Sequence, residues 1–465
     1  MERRKINIWW IRRDLRLHDN QSLTAALSED AVVIPLFILD ENILDRSNPR
    51  RNEFLFENLK NLDSSLCKIG NRLILRKGEP LVILQQVMQE CNVDAIFAEE
   101  DFSSYAKARD KQISEYLPLI LLPGLTIQPL SAVKKADGNP YTIFTPYSHQ
   151  WKKIIQPFKL FPSPAQLGVI PQIGSEVIPS SHAHPLFPAG EEAAQKRLED
   201  FLQNHITEYG TRRDFAAEES TSLLSPYFHF GVLSIRSAYQ RALQLQNNLS
   251  LTEEKDSIET WINELLWREF FIMILSEFPY VAQGPFRKAY ESIPWQNNEA
   301  EFEAWKSGKT GYPFVDAGMR QMLEIGWMHN RTRMVVASFL CKNLLINWQW
   351  GEAWFNEQLL DGDLAANNGG WQWCAGCGTD AVPYFRVFNP ITQSKKFDPD
   401  GKYIRTWIPE LVNVPDCYIH TPWKMPYDLQ METGCIIGKD YPERIVEHAF
   451  ARQRTLDAYA VTKSE

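Results

Sequence analysis

Short apolar runs rich in branched residues mark the first 130 positions: INIWWI (6–11), AVVIPLFIL (31–39), RLILRKG (72–78) and VDAIFAEE (93–100). A strand covered on both faces needs apolar residues at successive positions, so these runs predict buried parallel strands. Between them, NEFLFENLKNLDSSL (52–66) and EPLVILQQVMQEC (79–91) repeat apolar residues at helical spacing. The alternation predicts a doubly wound α/β domain over residues 1–130. Over 131–190 the pattern fades, and six prolines fall between Pro162 and Pro188. That stretch reads as a long connector laid over the surface. Past Gly190, stripes such as Leu198, Phe201, Leu202 and Ile206 return at helical spacing. An all-α domain over 191–465 is expected.

Composition narrows the function classes. The 465 residues include no run of 18 apolar positions, and the first residues, MERRKINIWWI, have no uninterrupted apolar stretch. Neither a membrane span nor a secretory signal is expected, and the chain is expected in the cytoplasm. Seven cysteines argue against a disulfide framework. Cys374 and Cys377 form one CxxC with no second ligand pair, so two buried thiols are the better reading and no metal is expected. No GxGxxG and no phosphate-binding GxxxxGK[ST] follows a strand. The net charge of −9 argues against a protein that coats nucleic acid, but leaves room for a local basic track.

Candidate chemistry concentrates in the helical half. Twelve of the 15 tryptophans lie between Trp261 and Trp423, which suits core packing, base stacking or electron hopping. In WINELLWREFF (261–271), Trp261, Glu264 and Trp267 share one helix face. A carboxyl there either bonds a neighbouring backbone group or pairs with Arg268, or is an acceptor or proton donor aimed into an aromatic pocket. GWMHNRTRM (326–334) sets Asn330, Arg333 and Met334 on another face. DGDLAANNGGWQW (361–373) combines acids, amides, glycines and indoles. Its Asn-Asn-Gly-Gly is poor helix material, so a close approach to the backbone is expected there. TSLLSPYFHFG (221–231) offers hydroxyls before a helix, suited to phosphate or to plain N-capping. Arg386, Lys395, Lys396, Lys402 and Arg405, interleaved with Phe385, Phe388 and Tyr403, form a basic run that is either solvated or a phosphate track.

These segments, with IWWIRRDLRLHDN (8–20), GYPFVDAGMRQMLEIGWMHNRTRM (311–334) and PYFRVFNP (383–390), resemble the photolyase/cryptochrome family along nearly the whole chain, most of all class I cyclobutane pyrimidine dimer photolyases. The resemblance implies FAD, reduced and anionic when active, and usually an antenna chromophore, folate or deazaflavin. It implies Tyr209, Thr221, Ser222 and Ser225 at the diphosphate. Trp261, Arg333, Asp361 and Asp363 would surround the flavin, with the Asn367 amide at its N5. Glu264, Asn330 and Met334 match dimer-contacting positions, with Trp267 and Trp373 as aromatic walls. Trp371, Trp348 and Trp295 match the electron chain. Arg213, Arg331, Arg386 and Lys396 match DNA-gripping positions. Family members acting on (6-4) lesions carry histidine where this chain has Asn330, so that lesion is disfavoured, and His329 reads as structural. The implied partner is DNA containing pyrimidine dimers, bound by a monomer. A cryptochrome-like receptor is the runner-up, disfavoured by the lack of a long polar tail. A light-inactive flavoprotein is disfavoured by the intact Glu264, Asn330, Met334 and tryptophan set.

Overall fold

The computed structural model describes residues 4–27, 31–44, 48–383 and 385–461. The chain divides into two compact units. The first runs to Gly210 and adds Ser222–Pro279; the second holds Thr211–Thr221 and everything from Tyr280 onward.

The first unit is built on a five-stranded parallel sheet, β1 (Ile6–Ile11), β2 (Val32–Leu39), β3 (Ile74–Lys77), β4 (Ala95–Glu99) and β5 (Leu119–Leu122), in the order β3-β2-β1-β4-β5. Central β1 pairs with β2 from Ile6↔Val32 to Ile11↔Phe37 and with β4 at Asn7↔Ala95. Every residue of β2 is buried, as a strand covered on both faces requires. Helices α1 (Gln21–Ala26), α2 (Pro49–Lys68), α3 (Pro80–Cys91) and α4 (Ser104–Tyr116) supply the crossovers. The first four strands fall on the expected runs. β5 was not foreseen: it is a four-residue edge strand whose Ile120 and Leu121 face solvent, too short and too exposed to mark itself.

Strand order reverses between β1 and β4, and a buried charge network fills the space beyond their ends. Arg16 meets Glu99 at 2.6 Å, Arg12 meets Asp110 at 2.7 Å, and the Trp9 indole donates to Asp14 at 2.7 Å. Gly124 is required beside it, because a Cβ there would lie 2.0 Å from the Glu99 carboxyl carbon. Glu99, at the end of β4, is thus the internal partner of Arg16.

The connector is more ordered than its sequence suggests. It contains a helix, α5 (Phe144–Ile154), whose buried Trp151 donates to Glu269 at 2.7 Å. The rest hydrogen-bonds beside β3, through Glu176 N–H to the Leu75 carbonyl at 2.8 Å and Arg72 to the Ile173 carbonyl at 2.7 Å. It buries Leu167, Ile173 and Phe187, so part of it is core and not surface cover. The unit closes with α6 (Glu191–Asn204), α7 (Ser225–His229), α8 (Ile235–Asn248) and the long α9 (Thr252–Glu277).

The second unit is helical. Its frame comprises α10 (Pro313–Ile325), α11 (Asn330–Ser338), α12 (Trp348–Gln358), α13 (Leu364–Ala375), α14 (Pro390–Phe397) and α15 (His448–Ala460). Past Gly190, one isolated bridge, Ile437↔Tyr441, is the extent of β structure among the described residues. Trp305, Phe339, Leu340, Trp348, Phe355 and Trp371 share one core. A single π turn, Phe339–Asn343, follows α11. A π turn disturbs the regular helical bonding and leaves carbonyls needing other partners. α15 supplies them: Thr455 donates to the Lys342 carbonyl, and Arg454 to the Asn343 carbonyl at 2.6 Å. No described helix is long and apolar enough to cross a membrane.

Candidate active site

In the second unit, α11 begins with His329 as its N-cap. The His329 Nδ1 accepts from the Arg331 N–H at 3.2 Å, and burial lowers the ring from 6.5 to about 4. A ring that caps a helix and stays neutral is structural, as the sequence suggested. One turn of α11 then presents Asn330, exposed, and Met334, half-buried, with the amide nitrogen 4.0 Å from the thioether sulfur. Arg333 donates from Nε to the Met328 carbonyl at 2.8 Å and from Nη2 to both Asp361 oxygens at 2.9 and 3.1 Å. That fork fixes the guanidinium against a buried carboxylate.

The DGDLAANNGGWQW segment corrects one expectation. Its Asn-Asn-Gly-Gly lies within the regular helix α13. Asp363 starts that helix by accepting from Ala365 and Ala366 N–H, both at 3.1 Å. Tertiary bonds offset the weak propensity. The Asn368 amide reaches the Val281 carbonyl and the Glu352 carboxyl, each at 2.9 Å, and Gln372, four residues on, reaches Val281, Gly284 and Asn368. Asn367 donates to the Glu352 carbonyl at 2.9 Å, which turns its own carbonyl oxygen the other way. At Gly370 a Cβ would meet nothing within 4 Å, so the protein leaves room beside this backbone. Glu352, which the sequence did not single out, anchors both asparagines, and burial raises its carboxyl to about 7. Nothing in WQWGEAW marks it, because its role depends on α12 packing against α13.

Trp371 and Trp373 separate as their spacing requires. Trp371 is buried and Trp373 half-buried. The Trp371 ring lies edge-on to Phe355 at 4.9 Å and to Trp305 at 6.0 Å, and its indole N–H is buried without a partner among the described residues. It sits on Gly351, one turn along α12 from buried Trp348. Half-buried Trp295 belongs to a segment tied to the start of α12: Gln296 N–H bonds the Leu345 carbonyl at 2.8 Å, and Asn347 N–H the Asn297 side chain at 2.9 Å.

The cationic candidates differ in availability. Arg331 is paired with Asp214 at 2.6 Å and lies over Phe397. Arg213, next to Asp214, and Thr221 are half-buried. Arg386 and Lys396 are exposed. The interleaved basic run is shorter than its sequence implied: Arg405 pairs with Asp416 at 2.7 Å and Lys402 with Asp400 at 3.3 Å. Tyr403 and Phe388 are core residues, the Tyr403 hydroxyl bonding Gln321 at 2.7 Å, whereas Phe385 is 60% exposed. Tyr384 of the same segment lies outside the described residues.

In the first unit, α9 buries Trp261 against Phe201, whose ring also meets Tyr209 edge-on at 5.8 Å. Glu264 and Trp267 are half-buried on the same helix. Trp267 has one face fixed by stacking on Phe144 at 3.7 Å and 7°. Arg268 donates to the Leu125 carbonyl at 2.5 Å. Ser222 is half-buried and Ser225 exposed at the start of α7. That helix has Leu224 at its N-cap with no side-chain capping bond, after Leu223 in the left-handed region at φ 51°.

Comparison with known proteins agrees with this geometry. The family profile described as the FAD binding domain of DNA photolyase matches residues 261–461, and that described as DNA photolyase matches 7–165. The deoxyribodipyrimidine photo-lyase of Escherichia coli is 40% identical over 98% of both chains. The chain belongs to the DNA photolyase family. A class III photolyase structure from Agrobacterium tumefaciens superposes with a TM-score of 0.93 at 35% identity, covering 100% of this chain and 99% of that one. A cryptochrome from Synechocystis gives 0.90 at 30%, covering 98% and 100%. The two-domain architecture, a parallel α/β sheet followed by a helical FAD-binding region, is that of the family.

Proposed function

We propose that this chain repairs cyclobutane pyrimidine dimers in DNA, using light to drive an electron from reduced FAD onto a flipped-out dimer. The observation that carries the reading is the exposed face of α11, where an amide and a thioether stand side by side above a guanidinium locked on Asp361. Neutral polar and soft apolar groups suit a neutral, weakly stacked lesion. Asn330 occupies the position where members acting on (6-4) lesions carry histidine.

The residues present fit FAD. Space is kept at Gly370, and the Asn367 oxygen is turned away from Glu352. Tyr209, Thr221, Ser222 and Ser225 would hold the diphosphate, with Trp261 behind Tyr209. Arg333, Asp361, Asp363 and Asn367 would hold the ring system. Reduced FAD, when bound, supplies the electron that light promotes. Everything else falls to the chain. Flipping costs least for a base pair that already stacks poorly, so the lesion selects itself. Trp267 and Trp373 would wall the extruded dimer, and Asn330 and Met334 would contact it. Glu264, in its protonated form, would donate a hydrogen bond to a pyrimidine carbonyl and stabilise the charge that develops there. Two carbon–carbon bonds then open with no net redox change. Arg213, Arg331, Arg386 and Lys396 would grip the flanking phosphates, Arg331 exchanging Asp214 for DNA.

Trp371, Trp348 and Trp295 would refill oxidised FAD with electrons from the surface. The packing of Trp371 supports this. A phenylalanine would fill its place without leaving a buried N–H unpaired. The deciding experiment is repair of an oligonucleotide with one thymine cyclobutane dimer by reduced holoprotein, in blue light and in darkness, with a (6-4) lesion alongside. Light-dependent restoration of the cyclobutane substrate alone is expected. Repair of neither lesion by FAD-loaded protein would favour the receptor reading that the cryptochrome neighbour suggests.

A further inference from the structure

Lys342 is fully buried on the π turn. Its Nζ donates to the backbone carbonyl of Arg386 at 3.1 Å. The groups that face it are Cys341 beside it, Cys374 and Cys377 from the end of α13, and Arg386. All three cysteines are free and buried, and burial raises their thiols, Cys374 to about 12. They stay protonated at neutral pH and give the ammonium no counter-charge. Among the described residues its hydrogen-bonding partner is a carbonyl, not a carboxylate. A buried ammonium so placed is costly, which marks it as a position with a task.

The segment it reaches links α13 to α14. Val382 N–H bonds the Trp373 carbonyl at 3.3 Å, Asn389 caps α14, and Phe388 is buried. Between these anchors the tip exposes Phe385 and Arg386. Lys342 therefore holds the tip from beneath at the residue whose side chain faces outward.

We infer that Lys342 is a positioning residue for DNA binding: it fixes the Arg386 segment and places a second positive charge under it, so that phosphate binding at Arg386 and protonation of Lys342 favour each other. The inference rests on reading the chain as a DNA-repair enzyme. Burial lowers the Lys342 ammonium to about 8, opposed by the neighbouring cysteines and helped slightly by Arg386. A phosphate beside Arg386 would raise it again, and linkage makes the effect reciprocal. Affinity should then fall as pH rises through 8 and 9, where the free protein loses this proton.

The test is fluorescence anisotropy of FAD-loaded protein with a thymine-dimer oligonucleotide in darkness, at fixed ionic strength, from about pH 6.5 to 9.5. Wild-type Kd should rise about fivefold, a typical coupling. Lys342→Met should bind weakly with a flat profile, and Lys342→Arg, charged throughout, should bind tightly with a flat profile. A wild-type profile in the Met variant, or loss of affinity at high pH in the Arg variant, would overturn the inference. Calorimetry of wild type at pH 8 in two buffers of different ionisation enthalpy gives a variant-free check. Net proton uptake on binding is expected, and none would overturn it. Failure of wild type to prefer lesion DNA at every pH would instead remove the reading on which it rests.

Discussion

Glu264 sits half-buried on α9, three residues from an indole already pinned on one face by Phe144. A carboxyl that acts by hydrogen-bonding a developing charge contributes to the rate more than to binding. Glu264→Gln should therefore keep lesion affinity within about twofold and lower repair quantum yield several-fold. An unchanged quantum yield would remove Glu264 from the chemistry. His329 makes a pH prediction. Its neutral ring caps α11, and burial puts its folded pKa near 4 against 6.5 in the free residue. The unfolded chain takes up this proton first as pH falls. The contribution is complete above about pH 6.5 and is lost on the way to pH 4, worth about 3 kcal/mol in full. Denaturant midpoints for wild type should fall across that window, and His329→Asn, which keeps a cap without a titrating ring, should fall less.

At the scale of elements, the seam between α12 and α13 governs how the tryptophans stand. A Cβ at Gly351 would lie 2.1 Å from the Trp371 ring and 2.6 Å from a Leu340 methyl. Gly351→Ala should overpack the seam, costing about 1–3 kcal/mol of stability, and slow photoreduction by shifting Trp371. Normal melting and normal photoreduction in that variant would contradict this packing. Trp371→Phe should instead leave the seam intact. It should abolish photoreduction of oxidised flavin while sparing repair by protein reduced beforehand, as read by transient absorption and by repair yield. Existence and type of the long elements were legible because the unbroken apolar runs of the strands and the 3.6-residue period of the helices survive in them. The helicity of Asn-Asn-Gly-Gly was not, because amide bonds to Val281 and Glu352 from outside the helix decide it. The helix at Phe144–Ile154 was masked by the proline-rich stretch that follows it, although its buried Trp151 ties it to Glu269.

For the whole molecule, a net charge of −9 and a DNA substrate are reconciled by location. Lys402 pairs with Asp400 and Arg405 with Asp416, which leaves Arg386, Lys395 and Lys396 as the exposed cations of the run without a paired acid among the described residues. If Arg386 and Lys396 of this run make phosphate contacts together with Arg213 and Arg331, the logarithm of the binding constant should fall with the logarithm of salt at a slope of about −3.6. Binding isotherms between about 50 and 300 mM salt measure it, and a slope near zero would exclude the track.

Local signals in the sequence determined much of this protein. Hydrophobic period set an α/β sheet followed by helices, and the spacing within GWMHNRTRM set which side chains share a face, because both depend only on residues a few positions apart. Tertiary structure alone decided the rest. It showed which cations of the basic run are internally paired, that Tyr403 and Phe388 are core, that Glu352 anchors two asparagines, and that Lys342 stands under Arg386. Apart from the Lys402–Asp400 pair, these depend on distant partners: 16 residues separate Glu352 from Asn368, 44 separate Lys342 from Arg386 and 82 separate Tyr403 from Gln321. Such pairs leave no periodic trace, so only the folded chain brings them into view.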